Sequence, residues 1–517
     1  MDLRIAAVAA PEFQSGASGD LRLNSSDPAS LYNACRWLAK LSEQSGTCFA
    51  DSNWAEGRAA RRHSTRLYHT LRESEEDFTR LLVTYRPTLL LIGAMTLCLP
   101  GAISLARLAR HILGDQVCIV LGGKHCNETV YLRGGGVRHH ASSPLILMKS
   151  GLIPEAFDLV ISGEGEHIVA KIAELVATSP NPASVCQRLL NSTEVSNVEG
   201  NWIIGRCQKS ELQVLHQKTP MNMDRLPAQC AMFGVTSHFD VFPPGRTAHV
   251  HSDTGPGCVY SCGFCSESSK LNGSLQATQT SAARLARQLA AAASVIRSDN
   301  PCAMPSAFVE DSILLGGVET LLHDLVAQLA EASSAIPFGG QLTIDHILRH
   351  RSLLTSLREV GLSYIFFGLE SIDPSIVSSF SKNRQRTQPW EERAESALRT
   401  LAESSIGCGV ALLFGLGESP SSRSYLFETL SKWRRQYGIP SVISANWAVQ
   451  HPLQSHDGGA NHTYLEWGTD EGPLLELLQN FGEAAERYPI LGQSRVRFED
   501  ALEVSQWMGE FRQIRAP

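Results

Sequence analysis

The sequence predicts an α/β protein in which an amino-terminal, doubly wound parallel sheet is followed by a partial (β/α)6 barrel. Two observations support this fold class. Short apolar runs, typical of strands buried on both faces, alternate with segments of helical periodicity, first over residues 1–180 and again from residue 246. A chain of 517 residues with 43% hydrophobic content is also long enough to bury more than one core.

The first alternating series lies in the amino-terminal part of the chain. Four apolar runs are predicted to be strands, over residues 3–10, 88–94, 117–123 and 157–162. Between two of them, Leu105, Leu108 and Ile112 recur at helical spacing, and Gly114 can end that helix. Strand, helix and strand in succession indicate a parallel, Rossmann-like sheet.

The second series begins after a break rich in Pro, Asn and Ser that contains Gly200-Asn201-Trp202, for which we expect a linker with a small hairpin. Six further strands are predicted, with helices between them, and six strand–helix units indicate a partial barrel. The strands are expected over residues 247–251, 307–309, 341–344, 364–367, 409–414 and 442–447. The expected domains are 1–180, 181–245 (the linker), 246–450 (the barrel) and a mainly helical substrate or cap region, 451–517.

Composition excludes several classes of function. A net charge of −7, without a run dense in Lys and Arg, argues against nucleic acid as a partner. The apolar run 3–10 is too short to span a bilayer and has no basic segment before it, so we expect a cytoplasmic protein without a membrane partner. Thirteen cysteines, an odd number without regular pairing, argue against a secreted disulfide framework.

Three cysteines form the one tight cluster in the sequence. Cys258, Cys262 and Cys265 have the spacing C-x3-C-x2-C and follow the first barrel strand, where barrel active sites gather. Three thiolates can ligate three irons of a 4Fe-4S cluster and leave the fourth iron open. The alternatives are a zinc site, which usually takes a fourth Cys or His, and three ordinary buried thiols.

The cysteine spacing, with the aromatic Phe264 directly before the third cysteine, resembles the signature of radical S-adenosylmethionine (SAM) enzymes. Residues 308–311 resemble the second strand of that family, 368–371 its fourth-strand motif and 414–418 its fifth strand. The resemblance implies that the three cysteines bind the cluster and that five residues contact SAM, namely Phe264, Glu310, Asp311, Glu370 and Ser371. The alternative for the acidic residues is that they are solvated caps at strand ends.

Segments 87–94, 120–125 and 158–166 resemble the cobalamin-binding domain that precedes many radical SAM barrels. This resemblance implies that five residues contact cobalamin, namely Gly122, Gly123, Gly163, Glu164 and Gly165. One departure is that the string D-x-H-x-x-G of many such domains is absent, since residues 109–114 lack the Asp. The alternative is a set of turn glycines in a sheet without cofactor, with His125 and His167 as ordinary polar residues.

Together, these resemblances imply a radical SAM enzyme with a 4Fe-4S cluster, SAM and cobalamin as cofactors. It would cleave SAM to a 5′-deoxyadenosyl radical and methylate an unactivated carbon, or a phosphorus, in a small-molecule or peptide natural product. The alternatives are non-methylating radical chemistry, with or without cobalamin, such as deoxygenation, dehydration, ring rearrangement or cyclisation, and a non-catalytic iron–sulfur redox sensor. An electron donor such as flavodoxin or ferredoxin is the expected protein partner.

Overall fold

The computed structural model describes residues 3–10, 65–68, 75–95, 98–190, 193–219, 221–225, 236–237, 239–252, 258, 260, 262, 264–265, 279–332, 336–377, 387–447 and 497–515. Described residues up to 225 belong to one compact unit, and those from 236 onward belong to a second. Among all of them, no helix combines the length and hydrophobicity needed to cross a bilayer.

The first unit is built on a seven-stranded sheet with the spatial order 2-1-3-4-7-8-9. The first five strands in this order run parallel, whereas the last two form an antiparallel hairpin. Strands 5 and 6 form a separate antiparallel pair. The strands are β1 (Ile5–Ala9), β2 (Thr65–Tyr68), β3 (Leu89–Gly93), β4 (Cys118–Gly122), β5 (Val130–Arg133), β6 (Gly136–His139), β7 (Leu159–Gly163), β8 (Gly200–Gln208) and β9 (Glu211–Thr219).

Helices connect the parallel strands of this unit. They are α1 (Glu75–Thr84), α2 (Leu99–Leu113), α3 (Lys124–Thr129), α4 (Pro144–Lys149), α5 (Glu166–Thr178) and α6 (Val185–Leu190). The apolar stripe of α2, with Leu105, Ala109 and Leu113, joins a core that also contains Ile92 and Ile119 of the sheet. Helix α2 ends at Gly114, whose φ of 56° lies in the region that glycine adopts most readily.

The hairpin of β8 and β9 differs from the expected linker over residues 181–245. Strand β8 pairs with β7, with Ile161 opposite Ile204, so the hairpin continues the first sheet. Trp202 and Ile204 are buried, and burial of their apolar surface explains why the hairpin stays with the sheet. The first unit therefore extends well beyond residue 180.

The second unit is built on another seven-stranded sheet, whose strands follow one another in chain order. Its last six strands are all parallel, and the first pairs antiparallel with the second. Six consecutive parallel strands joined by helices form a partial (β/α)6 barrel. The strands are β10 (Thr236–Ser237), β11 (Arg246–Val250), β12 (Pro305–Val309), β13 (Phe338–Gln341), β14 (Leu362–Glu370), β15 (Gly407–Phe414) and β16 (Val442–Trp447).

Eight helices of the second unit fall within the described residues. They are α7 (Ser281–Asp299), α8 (Glu319–Glu331), α9 (Ile344–Arg349), α10 (Arg351–Glu359), α11 (Pro374–Val377), α12 (Trp390–Glu403), α13 (Pro420–Tyr437) and α14 (Phe498–Gln513). Helix α14 packs on α13, with the rings of Phe427 and Trp507 5.0 Å apart, so it belongs to this unit. Residues 451–496 of the expected carboxy-terminal region lie outside the described residues.

One strand of the barrel lies earlier than expected. The prediction placed it over residues 341–344, but β13 covers Phe338–Gln341 and α9 begins at Ile344. Gly339 and Gly340 interrupt the apolar run by which such a strand is predicted. At Gly339 a side chain would approach the carbonyl oxygen of Tyr364 to 3.0 Å, so the neighbouring strand favours glycine there.

Candidate functional site

The three cysteines with cluster-ligand spacing follow β11, at the carboxyl end of a barrel strand. Cys262 is buried, whereas Cys258 and Cys265 are partly exposed. A turn joins two of them, because the backbone N–H of Cys265 donates to the carbonyl of Cys262 at 3.2 Å. None of the cysteines that the structure describes forms a disulfide.

Within the described residues, no three His, Cys, Asp or Glu side chains converge on a single metal ion. An iron–sulfur cube is larger than one ion, and each thiolate binds its own iron, so its ligands surround a group instead of one point. Thiolates are the ligands that such clusters take. The loop therefore fits a 4Fe-4S cluster in the type and number of its donors.

Asp311, which is expected to contact SAM, holds the start of the cysteine loop. Its Oδ1 accepts from the backbone N–H of Ser252 at 2.9 Å, and its Oδ2 accepts from the Ser252 hydroxyl. The buried Arg284 on α7 donates through Nε to the Ser252 carbonyl at 3.2 Å and is itself held by the hydroxyls of Thr280 and Ser281. These contacts fix the end of β11, from which the loop departs.

Glu310 lies at the carboxyl end of β12 and pairs with His249 of β11. His249 Nδ1 and Glu310 Oε1 are 2.5 Å apart, and the two side chains are 27% and 28% exposed. Strand register places His249 beside Phe308, so Glu310 continues the same face two residues further along. This carboxylate is partly accessible and can accept hydrogen bonds from a ligand at the carboxyl edge.

Glu370 stands at the carboxyl end of β14 in an unusual backbone conformation. Its φ is 61°, and the register with β15 shifts between Gly368 and Glu370. A non-glycine residue pays roughly 1–2 kcal/mol for this left-handed conformation, and such strain clusters at functional sites. The next residue, Ser371, accepts from the backbone N–H of Asp373 at 3.1 Å, so its hydroxyl shapes the following turn.

Glu418 organises the turn that follows β15. Its two carboxylate oxygens accept from the backbone N–H groups of Gly415 and Leu416, at 2.8 and 2.9 Å. The buried Arg423 lies 3.8 Å from Glu418 and pairs with Asp500 and Glu503 of α14, at 2.5 and 3.0 Å. Residues 414–418, which resemble the fifth strand of the family, thus include a turn in which the Glu418 carboxylate is hydrogen-bonded to the backbone of the same turn.

In the first unit, the predicted cobalamin residues lie at the carboxyl ends of the neighbouring strands β4 and β7. Gly123 and Gly163 have φ values of 95° and 88°. A side chain at Gly123 would approach the Ala94 nitrogen to 2.6 Å, and one at Gly163 would approach the Asn201 oxygen to 2.1 Å. The protein's own packing therefore requires these two glycines, whereas Gly122 and Gly165 have ordinary clearance.

Glu164 presents an unsatisfied acceptor at the same edge. Its Oε2 accepts from the backbone and side-chain N–H groups of Asn201, at 2.8 and 3.2 Å. Its Oε1 is buried and has no hydrogen-bond partner within the described part of the chain. Burial raises the pKa of Glu164 above its ordinary value. An amide-bearing ligand such as a corrin fits this edge, because one N–H would satisfy that buried oxygen.

His125 is a core residue of the first unit. Its ring is fully buried, and Nε2 lies 3.0 Å from the Ser142 carbonyl. Burial lowers the pKa of His125 to about 4, so the ring is neutral at pH 7. The alternative of an ordinary polar residue describes His125 better than a metal ligand does.

Sequence reasoning assigned no role to His249, Ser252 or Arg284. Alternation in the strand puts His249 on the same face as Thr247, and Arg284 falls on the buried face of a helix, but no such signal points to Ser252. Neither signal identifies the partner residue, which lies about 30 to 60 residues away in the sequence.

Comparison with known proteins gives no sequence match: no protein-family model and no curated protein matches the chain. Solved structures do match. TsrM from Kitasatospora setae, a radical SAM methyltransferase with tryptophan and aza-SAM bound, has a TM-score of 0.52 and 12% identity over 88% of this chain and 76% of its own. A TsrM structure with cobalamin and a [4Fe-4S] cluster has the same TM-score, 13% identity and coverages of 88% and 78%.

The cobalamin-dependent radical SAM enzyme OxsB, with aqua-cobalamin and SAM bound, also has a TM-score of 0.52 at 13% identity. This chain has the fold of cobalamin-dependent radical SAM enzymes. The match covers 83% of this chain but 52% of OxsB, so the chain spans about half the length of that enzyme. The predicted fold class, a doubly wound sheet followed by a partial (β/α)6 barrel, is confirmed.

Proposed function

We propose that this protein is a radical SAM enzyme that binds a 4Fe-4S cluster, SAM and cobalamin and methylates an unactivated carbon, or a phosphorus, in a small-molecule or peptide natural product. The observation that carries the proposal is the position of Cys258, Cys262 and Cys265. Three thiols occupy one loop at the carboxyl end of the first parallel strand of a partial barrel. That edge is where barrel enzymes assemble their active sites.

In this proposal the three thiolates hold three irons and leave the fourth for the amino and carboxylate groups of SAM. When bound and reduced, the cluster supplies the electron that cleaves SAM to methionine and a 5′-deoxyadenosyl radical. The chain orients the reactants. A low-potential electron donor such as flavodoxin or ferredoxin would deliver the electron to the exposed side of the loop.

Glu310 and Glu370 are the proposed SAM contacts. Both carboxylates lie at the carboxyl ends of barrel strands. Glu310 is hydrogen-bonded to His249, and Glu370 has a strained, left-handed backbone conformation. Carboxylates accept strong hydrogen bonds from ammonium and hydroxyl groups, which SAM offers at its amino and ribose ends. Phe264 would pack beside SAM, while Asp311 and Ser371 would hold the backbone that carries these residues.

Cobalamin, when bound, would carry the methyl group that the substrate receives. The buried Glu164 Oε1 would accept an amide N–H of the corrin, and the backbone at Gly122 and Gly165 would approach its edge. The carboxyl edge of a parallel sheet is the usual place for such a ligand.

A second candidate is radical SAM chemistry without cobalamin and without methyl transfer. It is favoured by the packing of Gly123 and Gly163, since both glycines are required by the protein's own backbone contacts. The absence of the string D-x-H-x-x-G points in the same direction. Deoxygenation, dehydration, ring rearrangement and cyclisation belong to this class.

The radical proposal is tested by anaerobic reconstitution with iron, sulfide, dithionite and SAM. We expect 5′-deoxyadenosine from the wild-type protein and a loss of at least about 100-fold in a triple Cys→Ala variant at positions 258, 262 and 265, because the cluster loses its ligands. Cys302→Ala changes an exposed cysteine and serves as the matched control. Undiminished 5′-deoxyadenosine from the triple variant would refute the proposal.

The cobalamin proposal is tested by mixing the protein with hydroxocobalamin, desalting it and measuring corrin absorbance. We expect retention near one equivalent, and weaker retention by a Glu164→Ala variant, which lacks the buried acceptor. Glu174→Ala, which changes an exposed carboxylate of α5, is the control. A well-folded wild-type protein that retains no corrin would favour the second candidate.

A further inference from the structure

Tyr260 ties the middle of the cysteine loop to the barrel. It lies between Cys258 and Cys262 in the sequence, and its hydroxyl is 3.2 Å from Thr343 Oγ1. Thr343 lies two residues after the end of the short strand β13 and directly precedes α9, so it belongs to the frame of the barrel. A contact between residues 83 positions apart is therefore made inside the segment that carries the proposed cluster ligands.

Thr343 is held in turn by His346. The Thr343 hydroxyl lies 3.0 Å from His346 Nδ1, and its oxygen also accepts from the backbone N–H of His346, which caps α9. Burial, together with His350 and Arg349, lowers the pKa of His346 to about 4, so its ring is neutral at pH 7. In the neutral tautomer with its proton on Nε2, His346 Nδ1 accepts from the Thr343 hydroxyl, which leaves the Thr343 oxygen to accept from Tyr260.

The position of His346 is fixed by its surroundings. Its ring is stacked on His350 at a centroid distance of 6.0 Å and an interplanar angle of 4°, and His350 Nε2 lies 3.2 Å from the Gly317 carbonyl. A side chain at Gly317 would approach His346 Nε2 to 2.3 Å, so glycine makes room for the ring. The Tyr260 ring also meets His346 edge to face at 6.1 Å.

We infer that Tyr260 and Thr343 are positioning residues that hold the cysteine loop against the junction of β13 and α9, and so set where the cluster faces SAM. This inference rests on the proposed function for its catalytic part. Its structural part, the restraint on the loop, stands on the hydrogen bonds and ring contacts alone. The two parts can therefore be measured separately.

The structural part is tested on protein without a cluster, by the rate at which a maleimide labels Cys262, read by mass spectrometry. Cys262 is 5% exposed, so it reacts when the loop opens. Losing one hydrogen bond should raise the labelling rate of Tyr260→Phe by about threefold to tenfold. Tyr437→Phe removes a hydroxyl that is hydrogen-bonded to Glu395, between helices α13 and α12. Cys262 of this control variant should be labelled at the wild-type rate.

Thr343 variants separate the hydroxyl from the shape of the side chain. Thr343→Ser keeps the hydroxyl and should label near the wild-type rate. Thr343→Val keeps the branched shape and should match or exceed Tyr260→Phe, since it also loses the cap of α9. Labelling at the wild-type rate in both Tyr260→Phe and Thr343→Val would overturn the restraint on the loop.

The catalytic part is tested on reconstituted protein with matched iron content. Tyr260→Phe should form 5′-deoxyadenosine about threefold to tenfold more slowly, and the change in the electron paramagnetic resonance spectrum on adding SAM should differ from that of the wild type. Wild-type spectra and rates in a variant with faster labelling would overturn the positioning role. A wild-type protein that makes no 5′-deoxyadenosine would instead refute the proposed function, while the labelling result still decides the restraint.

Discussion

Asp311 accepts two hydrogen bonds from Ser252, one from the backbone N–H at 2.9 Å and one from the hydroxyl. Both residues are buried, and Ser252 lies between the end of β11 and the first cysteine. The pair joins the carboxyl ends of β11 and β12 at the start of the loop. Asp311 thus fixes the point from which the cysteine loop departs.

Asp311→Ala should lower the free energy of unfolding by about 1–3 kcal/mol, because it leaves buried donors of Ser252 without their acceptor. Asp311→Asn should cost less, since its amide oxygen can still accept from the backbone. Urea unfolding measures the effect, with the exposed Asp324→Ala as control. A stable Asp311→Ala protein whose SAM Kd rises tenfold would show instead that Asp311 contacts SAM directly.

Gly163→Ala should destabilise the first unit by at least about 1–3 kcal/mol. Its φ of 88° disfavours a side chain, and the new carbon would approach the Asn201 oxygen to 2.1 Å. Gly165→Ala is the matched control two residues away, because its φ is −84° and a side chain there would meet Ile161 at an ordinary 3.5 Å. Equal stability of the two variants, measured by urea unfolding, would contradict this explanation.

Stability of the first unit should fall on acidification through the pKa of His125. Its folded pKa is lowered by burial to about 4, so between pH 6.5 and about 4 the unfolded chain binds a proton that the folded chain does not. The loss should reach about 3 kcal/mol at pH 4 and level off just below that pH. Above pH 6.5 the protein keeps the full stability that it loses on acidification through His125.

The His125 prediction is measured by urea unfolding at pH 7, 5.5 and 4. His125→Gln should reduce the pH dependence by the stated amount, although it also lowers stability at pH 7 by disturbing the contact with Ser142. His111→Gln changes an exposed histidine of α2 and should leave the pH dependence unchanged. A His125→Gln protein with the wild-type pH dependence would exclude His125 as its source.

Arg423→Ala should destabilise the second unit by about 1–3 kcal/mol, because Glu418 and Glu503 lose this cation, whereas Asp500 keeps its contact with Arg497. Arg423→Lys should be intermediate, since an ammonium cannot reproduce the planar fork of donors. Arg435→Ala, at an exposed position of the same helix, is the control. Urea unfolding measures the effect, and a variant as stable as the control would contradict the role of Arg423.

The strand–helix order of both units follows from the sequence because buried parallel strands are short apolar runs, as at 89–93 and 442–447. The position of strand β13 was not predicted correctly, because two of its four residues are glycine. The pairing of β8 with β7 was not predicted either, since the local sequence pattern predicts a hairpin but not the sheet edge that the hairpin joins. Pairing between distant segments is not encoded in a local window.

The candidate site divides in the same way. The spacing of the cysteines identifies the loop because ligand residues lie within eight positions of one another. The sequence also shows the acidic residues that follow predicted strands, but it does not show which groups they hydrogen-bond. Asp311 accepts from Ser252, and Glu418 accepts from the backbone of Gly415 and Leu416, which the sequence does not reveal because it does not show which donors lie opposite.

The ion pairs of Arg423 also have a consequence for how the chain matures. The ribosome makes Arg423 77 residues before Asp500 and 80 before Glu503. Until those carboxylates emerge, its guanidinium cannot be buried with its full set of partners, so the second unit can complete its packing only late in synthesis. In the first unit the described ion pair with the greatest sequence separation, Arg110 with Asp158, spans 48 residues and is complete long before residue 423, and domains fold as units from the amino terminus. Nascent chains should therefore protect the first unit from protease well before the second.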